Sequence, residues 1–112
     1  MKNVVKRSGK IEPLTKKKIF DSICKANDAV SDTSEQLTRK QITRITESVF
    51  EFCQDLEESI EIDTLEDVIE KKLMEAQGYE VAKRYITYRY EKERIRINTS
   101  LTEKLTASNV QN

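Results

Sequence analysis

The spacing of apolar positions along this chain switches between a two-residue and a three-to-four-residue period, and each switch marks an element boundary. Val4-Val5 and Ile11 flank Ser8-Gly9, a pair that supplies a tight turn because glycine accepts positive φ. The stretch therefore reads as a β-hairpin closed by Pro13. Thr15 follows as a helix N-cap, and Ile19, Ile23, Ala26 and Val30 recur at helical spacing over a first helix that starts near residue 15. Residues 31–35 form a polar connector. Thr38-Arg39-Lys40-Gln41 has the form of a capping box and predicts a second helix, with Ile42, Ile45, Val49, Phe52 and Leu56 as its stripe and Cys53 beside it. Ile60-Glu61-Ile62 alternates, which suits a short strand able to pair with the hairpin. Asp63-Thr64-Leu65-Glu66 reads as the next cap, and Leu65, Val68, Ile69 and Leu73 as the stripe of a third helix ending before Gly78. The fourth helix is the longest, from Tyr79 to Ile97. It offers Val81, Ala82, Tyr85, Ile86 and Tyr88 for burial and turns Lys83, Arg84, Arg89, Lys92, Arg94 and Arg96 outward. The expected fold class is α+β: a small antiparallel β-sheet, the N-terminal hairpin plus a short third strand, capping a four-helix bundle. Residues 98–112 are polar and read as a linker.

A chain of 112 residues is long enough for one domain with a real core. Twenty Lys plus Arg balance twenty Asp plus Glu, so no global field draws the chain to nucleic acid or to an anionic surface, and any anion site must be local. No apolar run approaches the roughly 20 residues of a membrane span, and the N-terminus lacks the apolar core of a signal peptide. These features point to a soluble cytoplasmic protein with no membrane partner. Two cysteines, Cys24 and Cys53, and no histidine rule out C-x-x-C zinc patterns and histidine relays, so catalysis by this chain alone is not expected.

The chain has no glycine-rich phosphate loop, so binding of a polyphosphate would rest on side chains. Lys6 and Arg7 on the hairpin and Lys18 on the first helix are the candidate cations, converging if Ile19 packs inward. Each has an ordinary structural alternative. Cations on a short edge strand protect it from edge-to-edge pairing, Glu12 can serve as a cross-strand partner for Lys10 or Arg7, and Thr15 is a helix cap in either case. Ile19 and Leu65 are core positions by default, and Arg89 can belong to a solvated face or reach an adjacent anion site.

Val5, Lys6, Arg7, Gly9, Glu12 and the pair Lys18-Ile19 resemble the opening of the ATP-cone, a nucleotide-sensing module at the N-terminus of many ribonucleotide reductases. Ser8 stands where that family usually has Asp. Tyr79-Glu80-Val81-Ala82-Lys83-Arg84-Tyr85-Ile86-Thr87-Tyr88-Arg89 resembles the signature that closes the cone. The resemblance implies a nucleotide site built from Val5, Lys6, Arg7, Glu12, Thr15, Lys18, Ile19 and Leu65, with Arg89 beside it. Its effector would be ATP or dATP together with Mg²⁺. It further implies a regulatory domain over residues 1–97 and a linker over 98–112 toward a catalytic domain. Leu105 to Asn112 resembles the segment that enters the barrel of anaerobic, class III ribonucleoside-triphosphate reductases. The implied partners are adenine nucleotides and that catalytic domain, with homo-oligomers left open. Two other readings stand beside this one. A transcriptional repressor of reductase genes uses a similar cone behind a four-cysteine zinc ribbon, which this sequence does not contain, and Glu80, Glu91 and Glu93 interrupt the basic run that nucleic acid would want. The other is a degenerate cone acting only as a helical interaction module.

Overall fold

The structure, a computed structural model, describes the backbone of residues 2–56 and 59–110 and the side chains as far as residue 98. Strands β1 (Asn3–Val5) and β2 (Ile11–Pro13) form the hairpin, in register Val4 opposite Glu12 and Val5 opposite Ile11. The turn between them closes with the Gly9 amide donating to the Lys6 carbonyl (2.9 Å), and Gly9 takes φ +88, the left-handed region that favours glycine. Then come α1 (Lys16–Asp28), a 3₁₀ turn (Thr33–Glu35), α2 (Arg39–Gln54), β3 (Ile60–Glu61), α3 (Ile62–Glu75) and α4 (Tyr79–Val110). The α+β fold is the expected one, a three-stranded sheet in the order β2-β1-β3 with four helices.

One feature of the sheet departs from expectation. β3 pairs parallel to β1, Val4 with Ile60 and Val5 with Glu61, so only the hairpin half of the sheet is antiparallel. The cause lies in the connection: between β2 and β3 the chain runs through α1 and α2, and a crossover of that length lets a strand return in the same direction.

The caps read from sequence hold for the first two helices. The Thr15 hydroxyl accepts from the Lys18 amide, and Thr38 with Gln41 forms a reciprocal capping box. The third differs. α3 begins at Ile62, behind Glu61, which makes no side-chain cap, so Ile62 is helical rather than extended and Asp63 lies within the first turn. Phe52, expected on the buried stripe of α2, is 48% exposed. Val49 and Cys53, four residues apart, fill the centre of that stripe, and Phe52 falls to its edge. Ile86 is likewise exposed, while Val81, Ala82 and Tyr85 are buried. At the end of α3 the positive φ belongs to Gln77, and Gly78 serves a different need: a Cβ there would meet the Leu37 side chain at 3.1 Å. Finally, α4 continues as helix past the expected stop at Ile97 to Val110.

The core unites the sheet with all four helices through Val4, Ile23, Val49, Ile60, Ile69, Leu73 and Val81. Among the described residues no helix is long and apolar enough to cross a membrane. The link that sets α1 against α2 is a buried amide: Asn27 donates to the Leu37 carbonyl (3.0 Å) and accepts from the Leu37 amide (2.7 Å). Replacing Asn27 with Ala leaves both backbone groups buried without partners. The expected cost is about 2–4 kcal/mol, read as a lowered midpoint in urea unfolding, with Asn27→Asp intermediate because it keeps the acceptor.

Candidate functional site

Strand alternation decides which hairpin side chains face the helices. Val4 and Glu12 are directly opposed and so share a face, and Lys6, two residues after Val4, returns to it. Against that face α1 brings Thr15, Lys18 and Ile19, α3 brings Leu65, Glu66 and Ile69, and α4 brings Tyr85 and Lys92. Together they line a cleft of about 120 Å³ that opens to solvent. Its floor is apolar, from Ile19, Leu65 and Ile69, and its mouth is cationic.

Of the residues singled out from sequence, Lys6, Glu12, Thr15, Lys18, Ile19 and Leu65 meet in this cleft. Glu12 organises the mouth. Its carboxylate lies 3.3 Å from Lys18 Nζ, 3.6 Å from Lys10 and 3.9 Å from Lys6. The hydrogen bond from Lys18, then the charges of Lys18, Lys6 and Lys10, hold that carboxyl below its ordinary pKa. Val5, Arg7 and Arg89 do not line the cleft. Val5 and Arg7 border an adjoining polar groove with Glu61 and Asp63, and Arg89 lies on the far side of Arg7.

Both arginines are committed to carboxylates. Arg7 Nη2 donates to Asp63 (2.7 Å) and Glu66 (2.6 Å), and the same guanidinium also meets Glu93. Arg89 donates to Asp67 (2.7 Å), Glu70 (2.9 Å) and the Asp63 carbonyl (3.1 Å), and its Nε lies 3.5 Å from Glu66. Burial opposes the charge of each. The carboxylates outweigh it, Glu66 first for Arg7 and Glu70 first for Arg89, so both guanidinium groups sit above their usual pKa. Glu66 itself is only 4% exposed.

Sequence reasoning missed Glu66, Tyr85 and Lys92 as parts of the cleft, and expected Lys92 to face outward. The spacing carried the signal: Lys92 follows the buried Tyr85 by seven residues, two helical turns, and so shares its face. Lys92 stands at the cleft wall. Desolvation by the walls, opposed by Glu66 and reinforced by the charges of Lys25, Lys6 and Arg7, lowers its pKa. Burial also pushes the Tyr85 hydroxyl well above the ordinary phenol range, with the Glu66 charge adding to it.

Two outcomes follow. Arg7→Ala leaves Glu66 to Arg89 alone and is expected to lower unfolding stability by about 2 kcal/mol, below the 3–5 kcal/mol of a fully broken buried pair. Urea unfolding measures it, and Glu66→Gln in the same background should recover part of the loss. Lys92 titrates lower in the folded than in the unfolded chain. The unfolded state therefore binds more protons across the interval between the two values, and this residue's contribution to stability rises with pH there. Lys92→Met should abolish that alkaline rise and raise the melting temperature at neutral pH.

Comparison with known proteins places this geometry. The ATP cone domain family model matches residues 2–94. The chain is 33% identical over 104 residues to a protein of Chlamydia trachomatis named ribonucleoside-diphosphate reductase subunit alpha, covering 86% of this chain and 10% of that protein. It is 30% identical over 100 residues to the subunit of the same name from Chlamydia pneumoniae, covering 85% and 10%. The chain thus spans about a tenth of the length of these curated relatives. With its hairpin, crossover helices and closing helix matched from residue 2 to residue 94, the chain belongs to the ATP cone domain family.

Proposed function

We propose that this domain binds ATP or dATP in the cleft between hairpin, α1, α3 and α4, and reports the nucleotide to an attached ribonucleotide reductase as an allosteric regulator. The observation that carries the reading is the pairing of a cationic mouth, Lys6, Lys18 and Lys92, with an apolar floor, Ile19, Leu65 and Ile69, in one cleft. A triphosphate needs several cations in a small volume, and a purine needs apolar faces. Glu12 holds two of the three lysines where they can be transferred to phosphate oxygens. Its own carboxylate is then released to accept from an amino or hydroxyl group of the ligand. Thr15 caps α1 through the Lys18 amide, so the cap fixes the backbone that carries Lys18. Arg7 and Arg89 serve the site from behind: through Glu66 they hold the hairpin, α3 and α4 in register. Val5 contributes through its pairing with Ile11 and Glu61.

Mg²⁺ would arrive on the phosphates, since among the described residues no group of three or more His, Cys, Asp or Glu side chains is placed to hold a metal. Attachment to a reductase is supported by the relatives' names, and a cytoplasmic setting is part of the same proposal. Those names are of diphosphate reductase alpha subunits. The narrower expectation of an anaerobic triphosphate reductase has its support in the sequence of residues 105–112, which lies outside the described side chains.

Calorimetric titration of the chain with ATP and with dATP in one magnesium buffer tests the proposal. Saturable binding is expected, weakened roughly 10- to 100-fold by Lys6→Ala, Lys18→Ala or Lys92→Ala, the range of one charge-assisted contact. Flat heats with both nucleotides would leave only a cone-shaped interaction module. Because a bound phosphate favours charged Lys92, binding should also take up protons in alkaline buffer just below the pH at which an ordinary lysine titrates.

A further inference from the structure

The nucleotide cleft uses one side of α1, and a second groove uses another. Lys16, Lys17 and Phe20 of α1 line it with Arg39, Thr46 and Glu47 of α2, around an open volume of about 290 Å³. It shares no lining residue with the cleft.

Three observations converge on an anion. The first is charge without a partner. Among the described residues neither Lys16 nor Arg39 pairs with a carboxylate. Each lies over a ring instead, Lys16 Nζ 5.3 Å from the centre of Phe50 and Arg39 Cζ 5.7 Å from that of Phe20. Lys17 pairs with Asp21 (2.6 Å), but that contact is exposed and within one helix, so it is readily exchanged. The second is placement. The first turn of α1 carries Lys16, Lys17 and Lys18 and no acid, the reverse of what the helix dipole favours, and a bound anion would relieve the mismatch. The third is a stranded donor. Thr46 is 3% exposed, and its hydroxyl has no hydrogen-bond partner among the described residues, although buried hydroxyls are ordinarily bonded. The neighbouring Thr43 hydroxyl is committed to the Arg39 carbonyl (2.9 Å).

A tetrahedral oxyanion suits this set: a guanidinium fork, two ammonium groups and a hydroxyl donor around one groove. Glu47, exposed, is the opposing charge in the lining, which stays net positive. We infer that the groove between α1 and α2 binds a phosphate group, either inorganic phosphate or a phosphomonoester, with Lys16, Lys17 and Arg39 as its cations and Thr46 as its hydroxyl donor. The inference does not depend on nucleotide binding in the cleft.

Amide NMR spectra of the full chain without nucleotide test it, recorded as sodium phosphate or glycerol 3-phosphate replaces chloride at constant ionic strength. Saturable shifts are expected at Phe20, Arg39 and Thr46, and the tighter of the two ligands tells free phosphate from an esterified one. Arg39→Gln should weaken binding about tenfold, the loss of one charge-assisted contact. Glu47→Gln, at an exposed position, should tighten it and keeps the test open if another variant fails to fold. Thr46→Val separates a ligand role from a structural one. It should raise the melting temperature in chloride, because it removes an unpartnered buried hydroxyl, and yet weaken phosphate binding. Shifts that do not saturate, shifts confined to cleft residues such as Leu65 and Lys92, an affinity indifferent to both Arg39→Gln and Glu47→Gln, or a Thr46→Val chain that melts lower in chloride would each overturn the proposal.

Discussion

A buried carboxylate is tolerable only if it is paired, and the pairing of Glu66 is the constraint on which the rest of this domain is arranged. Its partners come from the two ends of the chain, Arg7 from the hairpin and Arg89 from α4. A hairpin with three-residue strands is too small to be stable alone. Three things hold this one: Val4 in the core, the parallel addition of β3, and Arg7 reaching Asp63, Glu66 and Glu93. The cleft exists because the hairpin is fixed at that distance from α3 and α4.

The same network divides labour among the cations. An arginine fork gains most where several carboxylates meet it in fixed geometry, and Arg7 and Arg89 are so placed. The lysines at the cleft mouth are longer-leashed point charges, loosely gathered by Glu12 at 3.3–3.9 Å in a half-exposed setting. Pairs of that kind are worth little and are readily exchanged for a better anion. Arginines fixed by several carboxylates behind and exposed lysines in front give a cleft whose frame is held by the chain's own ion pairs.

Much of this was legible from residues. Thr15 and the Thr38–Gln41 box announced two helix starts because capping is a local interaction, and the apolar stripes located the core because burial follows period. Lys6, Glu12, Lys18, Ile19 and Leu65 converge as expected because strand alternation and helix spacing fix their faces. Long-range pairing was not legible. Nothing in Ile60-Glu61 states that it will join β1 in parallel, and nothing near Arg7 in sequence reveals that Asp63, Glu66 and Glu93 will claim it. Lys92 stood in a basic run that reads as solvated surface, and only its two-turn distance from Tyr85 betrayed the cleft.

Glu93 ties the far end of this network together. It meets Arg7, whose neighbour Lys6 lines the cleft, and it pairs with Arg96 three residues further along α4. The strand that carries Lys6 is thereby joined to α4 through adjacent residues and one ion pair, while the same guanidinium holds Asp63 and Glu66 of α3. Any displacement of Lys6 therefore acts on a residue whose immediate neighbour is anchored to two helices, and the arginine network sets how far the mouth of the cleft can move.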